Sequence, residues 1–161
     1  MFRIGHGIDI HRFQSGRPLI LGGVRIDHKQ GLVGHSDADV VLHAVCDALL
    51  GSLALGDLGK FFPSDEKNKD RDSLEILHET VRMVWDKGYQ VGNVDCTVMA
   101  QAPKLAPHVE EMAENIARVL NIEPHCVSVK ATTSEGMGFV GRQEGIECHA
   151  VVLVQKRENG V

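Results

Sequence analysis

The sequence predicts a mixed α/β sandwich, one sheet with helices packed on one face. Three observations predict it. Apolar letters alternate at both ends of the chain, helical spacing recurs in three separate stretches, and the two patterns interleave without linker, repeat or low-complexity tract. A length of 161 residues fits one domain over 1–161, and folding at that size buries roughly 70% of the unfolded surface.

Residues 2–13 alternate, with Ile8 and Ile10 on one face and Asp9 and His11 on the other. Residues 18–27 read as a second strand, joined to the first by Gln14-Ser15-Gly16-Arg17, a hairpin-length connection. A loop punctuated by Gly31 and Gly34 leads into an apolar helical run from Val40 to about Leu55. Ser36 or Asp37 is the expected N-cap, and Asp39 places early acidic charge where the helix dipole favours it. Gly56 and Gly59 close that region. Residues 60–72, opened by Phe-Phe-Pro, form a polar loop, the segment expected to be most mobile. From Ser73 to Lys87, Leu74, Leu77, Val81, Val84 and Trp85 recur at helical spacing, and Gly88 is a natural stop. Residues 90–101 alternate like a strand, and Pro103 or Pro107 opens a helix running to about Asn121. Strands over 127–133 and 146–155 flank a glycine-rich loop at 135–145.

Hydrophobic content of 43% and charged content of 24% are ordinary for a globular chain, and 4% aromatic content makes the core aliphatic. A net charge of −5 argues against a nucleic-acid surface, which needs a basic patch. It leaves room for a small anionic substrate, because a metal or a few local cations outweigh a weakly acidic field. Cys46, Cys96, Cys126 and Cys148 are isolated, which speaks against a disulfide scaffold or a cysteine zinc site and for a reducing compartment. No apolar run approaches the ~20 residues of a membrane span, and the N-terminus carries no basic and apolar leader. A cytoplasmic protein that engages neither membrane nor nucleic acid is expected.

The chemistry starts at Asp9 and His11, which project together because strand side chains repeat every two residues. An Asp-x-His pair alone reads equally well as a polar face touching water. His43, in the apolar stretch Val40-Val-Leu-His-Ala-Val45, reads alone as a structural histidine. Taken together, one carboxylate and two imidazoles are a ligand set suited to Zn²⁺, and three protein ligands leave open the fourth position that a catalytic zinc needs. Asp47, four residues beyond His43, is either a partner for that imidazole or a solvated helix charge. His35 and Ser36 precede the helix, whose first N–H groups are expected to face a bound anion. Capping accounts for Ser36 but not for His35.

Thr132-Thr133-Ser134-Glu135 leaves a strand for the glycine loop, where hydroxyls and amides can cradle phosphate oxygens and Glu135 can offer Mg²⁺ a hard ligand. Threonine is also a good strand residue, and glycine loops are often only flexible. Lys104, near a helix start, carries a charge the dipole disfavours, which points to an anion or to simple exposure. Arg142 and Glu144, near Phe139, are placed for an ion pair worth under about 1 kcal/mol at an exposed site. These features together indicate metal-assisted chemistry on a phosphorylated small molecule.

The segments Arg3-Ile-Gly-His-Gly-Ile-Asp-Ile-His11, Leu21-Gly-Gly-Val-Arg-Ile26, His35-Ser-Asp-Ala-Asp-Val-Val-Leu-His43, Asp47-Ala-Leu-Leu-Gly51, Ala54-Leu-Gly-Asp-Leu-Gly59, Gly92-Asn-Val-Asp95, Ala100-Gln-Ala-Pro-Lys104, Lys130-Ala-Thr-Thr-Ser-Glu135 and Gly138-Phe-Val-Gly-Arg142 add more. In this order, over nearly the whole chain, they resemble the 2-C-methyl-D-erythritol 2,4-cyclodiphosphate synthases of the non-mevalonate isoprenoid pathway. The resemblance implies a homotrimer with active sites between neighbouring subunits. It places Zn²⁺ on Asp9, His11 and His43, and a second ion, Mg²⁺ or Mn²⁺, near Glu135. It gives His35 and Thr133 the stabilisation of the transition state.

Asp57, Leu58 and Gly59, with Phe62, Pro63, Ser64, Asp65 and Glu66, match contacts to the methylerythritol end of the substrate. Ala100, Gln101, Ala102, Pro103, Lys104, Leu105 and Ala106, with Thr132 and Thr133, match a cytidine and diphosphate pocket supplied by the adjacent subunit. Ser36, Ser134, Phe139 and Arg142 complete the implied substrate-binding set. Arg142 and Glu144 also match positions around a central cavity that can hold an isoprenoid diphosphate. The 62–67 stretch lacks the second proline often seen in the family's mobile loop, and Ile8 stands where an aromatic is common.

The implied reaction closes 4-diphosphocytidyl-2-C-methyl-D-erythritol 2-phosphate into a cyclic diphosphate and releases CMP, in a bacterial cytoplasm or as the mature form of a plastid enzyme. On this reading Gly5 and Gly7 leave room around the metal ligands. A zinc phosphohydrolase, which would give linear products, and a non-catalytic trimer binding isoprenoid diphosphates are the alternatives.

Overall fold

The alternating opening becomes one long strand, β1 (Phe2–Ser15), in a computed structural model that describes residues 1–158. Gly5, Gly7, Asp9, His11 and Phe13 face inward, while Ile4, His6, Ile8 and Ile10 are exposed on the other side. Residues 18–27 do not form a single strand paired with β1. They fold on themselves as β2 (Leu19–Leu21) and β3 (Val24–Ile26), an antiparallel ribbon turning at Gly22 and Gly23. Both glycines have positive φ, +57° and +72°, which suits a two-residue hairpin turn, and the turn lets Leu19, Leu21, Val24 and Ile26 all be buried. The stretch read as a loop contains a further strand, β4 (Gln30–Leu32), paired with the end of β1.

Helix α1 (Val40–Ser52) is capped by Asp39, not by Ser36 or Asp37. The Asp39 carboxylate accepts the N–H groups of Val41 and Leu42 at 3.1 Å each, and those of Gly22 and Gly23 at 2.9 and 2.8 Å. One buried side chain thus closes the helix and ties the ribbon turn to it. Within the polar 60–72 loop lies a 3₁₀ turn, Glu66–Asn68, and a short helix α2 (Leu58–Phe61) leads into it. Helix α3 (Ser73–Asp86) is capped by Asp72 and released at Gly88, whose φ is +81°.

Strand β5 (Tyr89–Met99) follows, then a 3₁₀ turn at Ala106–His108 and helix α4 (Val109–Leu120). Lys104 therefore lies outside the first turn of α4, and the dipole argument for its charge falls. Strand β6 (Val127–Thr132), a short helix α5 (Gly138–Gly141) inside the glycine loop, and strand β7 (Gly145–Lys156) complete the chain.

The main sheet runs β4–β1–β7–β5–β6, antiparallel except for the β5–β6 pair. Helix α1 packs on β1 and β7, α4 packs on β6, and α3 packs between α1 and α4. All three cover the same face, the arrangement read from the sequence. Gly5 and Gly7 make this seating possible. A Cβ at either would lie 1.8 Å from the Ala48 carbonyl or 2.1 Å from that of Ala44. These glycines clear the way for the helix backbone rather than for the metal ligands. The buried core is aliphatic, joined by Met112 and three cysteines, Cys46, Cys96 and Cys148.

Candidate active site

Strand period and helix seating meet in the second half of β1. Asp9 and His11 rise from its inner face, and His43 comes down from α1 between them. Asp9 Oδ2 lies 2.9 Å from His11 Nε2 and 3.0 Å from His43 Nδ1, and the two ring nitrogens are 3.2 Å apart. Among the described residues these three alone form a cluster of His, Cys, Asp or Glu with ligand atoms close enough to share an ion.

The hydrogen bonds around the cluster test whether a cation fits. The Val33 carbonyl, 2.6 Å from His11 Nδ1, can only accept, so Nδ1 carries the proton. In the neutral ring Nε2 is then a bare lone pair, aimed at the lone pairs of a carboxylate 2.9 Å away. Such a contact is repulsive unless a proton or a metal ion lies between. A tetrahedral ion bound at about 2.0 Å sets its ligand atoms about 3.3 Å apart, close to the triangle observed. The donor set fits a divalent transition metal.

Protonation reflects the same pressure. Burial pushes the Asp9 carboxyl up, but hydrogen bonds and charge attraction from His11 and His43 overcome this and hold it well below the usual carboxylate range. Burial pulls His11 down, and the bond and charge of Asp9 more than offset it, so its pKa is raised.

A cavity of about 270 Å³ opens over the cluster. Of the sequence-predicted residues, His35, Ser36, Leu58, Gly59, Phe62 and Ser64 line it with Asp9, His11 and His43. Asp57 caps α2 beside it, and Asp65 caps the 3₁₀ turn, with Pro63 and Glu66 in the same exposed loop. His35 Nε2 donates to the Asp65 carbonyl, the Asp70 N–H donates to the His35 carbonyl at 2.8 Å, and the Arg71 guanidinium lies 5.5 Å from the centre of the Phe62 ring. The loop after α2 is thereby fastened to the loop before α1.

Three wall residues, Asp47, Asn68 and Ile76, were not foreseen in the wall. Asn68 is buried in a polar loop, where it donates to the Pro63 carbonyl at 3.0 Å. Asp47 does not hold His43; it accepts the Leu58 N–H at 2.6 Å and so starts α2. The first N–H groups of α1 do not face an anion either, because Asp39 takes them.

The remaining candidates gather elsewhere. Ala100 donates its N–H to the Thr132 carbonyl at 3.0 Å, and Gln101 Oε1 accepts the Gly136 N–H at 3.2 Å. Thr133 Oγ1 donates to Glu135 Oε1 at 3.2 Å. Ala102, Pro103, Lys104, Leu105 and Ala106 continue from this turn, with Ser134, Phe139 and Arg142 on its far side; Arg142 pairs with Glu144 at 2.7 Å. The register sets the separation. Asp9 sits opposite Cys148, Cys148 opposite Val98, and Val98 opposite Ala131. Three strand spacings make about 14 Å, so one chain carries two clusters at the same level of its sheet.

A larger cleft of about 320 Å³ lies between α3 and α4, lined by His78, Val81, Trp85, Tyr89 and Ile122 among others. It holds none of the three converging ligands, and chemistry rather than size selects the site over the metal cluster.

The model of the YgbB family matches residues 2–155. The chain is 61% identical over 155 residues to the 2-C-methyl-D-erythritol 2,4-cyclodiphosphate synthase of Syntrophomonas wolfei, covering 96% of this chain and 99% of that one. It is 57% identical over 158 residues to the synthase of the same name from a Geobacillus species, covering 98% and 100%. Among solved structures it is similar to a bifunctional IspDF from Campylobacter jejuni, with a TM-score of 0.95, 40% identity, and coverage of 98% of this chain and 43% of that one. It is also similar to IspF from Plasmodium falciparum in a CDP complex, with a TM-score of 0.86, 36% identity and coverage of 98% and 97%. By this match over nearly its whole length, the chain belongs to the YgbB family, beside the 2-C-methyl-D-erythritol 2,4-cyclodiphosphate synthases it resembles.

Proposed function

We propose that the chain closes 4-diphosphocytidyl-2-C-methyl-D-erythritol 2-phosphate into 2-C-methyl-D-erythritol 2,4-cyclodiphosphate and releases CMP. The observation that carries this reading is the open Asp9–His11–His43 ligand set beneath a pocket walled by His35, Ser36, Leu58, Gly59 and Phe62, in a chain of this family.

The substrate brings its own nucleophile. An oxygen of the 2-phosphate attacks the β-phosphorus, a new P–O bond forms, and the bond from the β-phosphorus to the oxygen bridging it to the α-phosphate breaks. That oxygen leaves with CMP. The protein therefore needs no serine, cysteine or lysine nucleophile. It must fold the substrate back on itself and keep two anions in line, and such orientation contributes on the order of 7 to 11 kcal/mol. A divalent cation held by Asp9, His11 and His43 supplies neutralisation of the diphosphate charge. Zn²⁺ is the ion proposed there, and Mg²⁺ or Mn²⁺ the one proposed at Glu135.

His35, anchored to the loop at Asp65, and Thr133 stabilise the charge of the transition state. The Asp57–Gly59 and Phe62–Glu66 stretches hold the methylerythritol end. Ala100–Ala106, with Thr132, Thr133 and Ser134, hold the cytidine diphosphate end.

The second cluster serves a neighbouring subunit's metal site in a homotrimer built on the sheet's open face. Two observations support this. The strands β1 and β6 that carry the two clusters stand three spacings, about 14 Å, apart in one chain, and the uncovered face exposes Ile4 by 70%, Ile10 by 51% and Val151 by 43%. Arg142 and Glu144 border the proposed central cavity, where an isoprenoid diphosphate can bind. One catalytic domain over 1–161, in a bacterial cytoplasm, belongs to the same reading, supported by four free cysteines. Among the described residues no helix is long and apolar enough to cross a membrane.

Phosphorus NMR of the protein with this substrate, Zn²⁺ and Mg²⁺ tests the reaction. CMP with a cyclic diphosphate is expected. CMP with a linear bisphosphate would replace the reading by a phosphohydrolase, and an unchanged spectrum from zinc-loaded protein by a binding protein.

A further inference from the structure

We propose that Ser73 and Asp37 are positioning residues that fix His43 as a metal ligand, by deciding which of its ring nitrogens keeps the proton. The inference deepens the metal reading above and rests on it.

His43 Nδ1 faces Asp9 Oδ2 and His11 Nε2. It is the atom that meets an ion, so its lone pair must be bare and the proton must sit on Nε2. Nε2 lies in a buried pocket, 3.0 Å from Ser73 Oγ and 3.1 Å from Ser36 Oγ. A hydroxyl can donate or accept, so neither serine settles the matter alone. Asp37 settles it. Its Oδ1 takes the Ser73 hydroxyl proton, and its Oδ2 takes the Ser73 N–H at 3.0 Å. A carboxylate only accepts, so the single proton of Ser73 is committed to Asp37 and its oxygen offers His43 lone pairs alone. Nε2–H donates to them. Ser36 Oγ, which accepts the Ala38 N–H at 3.3 Å, presents a second acceptor on the same side.

Ser73 and Ser36 are buried and His43 is 8% exposed, so water is a poor substitute for these partners. The chain from Asp37 through Ser73 to His43 does for this imidazole what the Val33 carbonyl does for His11. Remote partners of this kind orient a ligating ring and raise its affinity for metal. In the metal-free chain Asp9 competes for the same proton from the Nδ1 side, so the effect is read on metal binding. Helices α1 and α3 meet here at their starts, which couples the metal site to the way the two helices dock.

The test measures zinc affinity of the full chain by competition with a chromophoric chelator, for wild type, Ser73→Ala, Asp37→Asn and Asp72→Ala. The Ser73→Ala and Asp37→Asn variants are expected to weaken zinc binding about 10- to 100-fold with unchanged circular dichroism. Asp72→Ala removes the cap of the same helix start without touching His43. It is expected to lower the melting temperature and leave the Kd within about twofold. In the Co²⁺-loaded protein, the paramagnetically shifted Nε2–H of His43 should exchange slowly in wild type and faster in Ser73→Ala. If Ser73→Ala does not fold, Asp37→Asn, which has the same volume, carries the comparison. Zinc affinities of the folded variants equal to wild type, or an Asp72→Ala loss as large as theirs, overturn the inference while leaving the metal site standing. A wild-type chain that binds no zinc overturns both.

Discussion

At the scale of single residues the proposed metal site is a problem of protons as much as of metal. His11, with its raised pKa, and Asp9, with its lowered one, form a pair in the metal-free chain. The sign of its effect on stability follows from each partner. The His11 contribution is fully present below the ordinary imidazole value of 6.5 and is lost as pH rises through the raised value. The Asp9 contribution is present above the ordinary value of 3.8 and is lost as pH falls through the lowered one. On the proposed reading, zinc must displace the proton on His11 Nε2, so its binding strengthens over the range in which that proton's own contribution fades. The gap in melting temperature between zinc-loaded and metal-free protein should therefore widen from about pH 6 to about pH 8. Calorimetry of both forms checks this, and a gap independent of pH contradicts it. Asp9, His11 and His43 were legible in the sequence because two of them share a strand face and the third interrupts an apolar helix. Ser73 and Asp37 were not. Ser73 lies 30 residues from His43 and 36 from Asp37 along the chain, and no periodicity encodes such contacts.

At the scale of elements, the placement of α1 on β1 brings His43 down to Asp9 and His11, and glycine makes that placement possible. Gly7→Ala puts a Cβ 2.1 Å from the Ala44 carbonyl, in backbone that has no rotamer by which to yield. The variant is expected to lose about 1 to 3 kcal/mol of stability and to bind zinc more weakly, because the helix carrying His43 is lifted from the strand. Urea unfolding and zinc titration check both, and wild-type values in both contradict the seating argument. The long elements, β1, α3, β5 and β7, were readable from period and caps. The failures came where local signals were weak or competed. Gly22-Gly23 splits an apparently continuous strand because two left-handed residues turn the chain at once. The three residues of β4 are too few to show a pattern. Asp39 outcompetes Ser36 and Asp37 as cap because it also serves Gly22 and Gly23 from a distant ribbon.

At the scale of the whole molecule, the sheet divides the work. Its covered face builds the core and the metal cluster, its open face exposes Ile4, Ile8 and Ile10, and its far edge carries the Thr132–Glu135 turn. The separation of the two clusters was not legible in the residues themselves, since a linear reading has no measure of strand spacings; only the family resemblance assigned the 100–106 and 132–133 residues to an adjacent subunit. The proposed trimer reunites them by lending each metal cluster the second cluster of a neighbour. Subunit complementation tests this most directly. His43→Ala damages one cluster and Thr133→Ala the other, and each variant alone should be inactive or slow. When the two are refolded together into mixed assemblies, the account predicts recovery to about a quarter of wild-type turnover, because that share of shared sites draws an intact half from each parent. Turnover no higher than the mean of the two parents, in mixed assemblies shown to have formed, would mean that each chain completes its own site and would contradict the account.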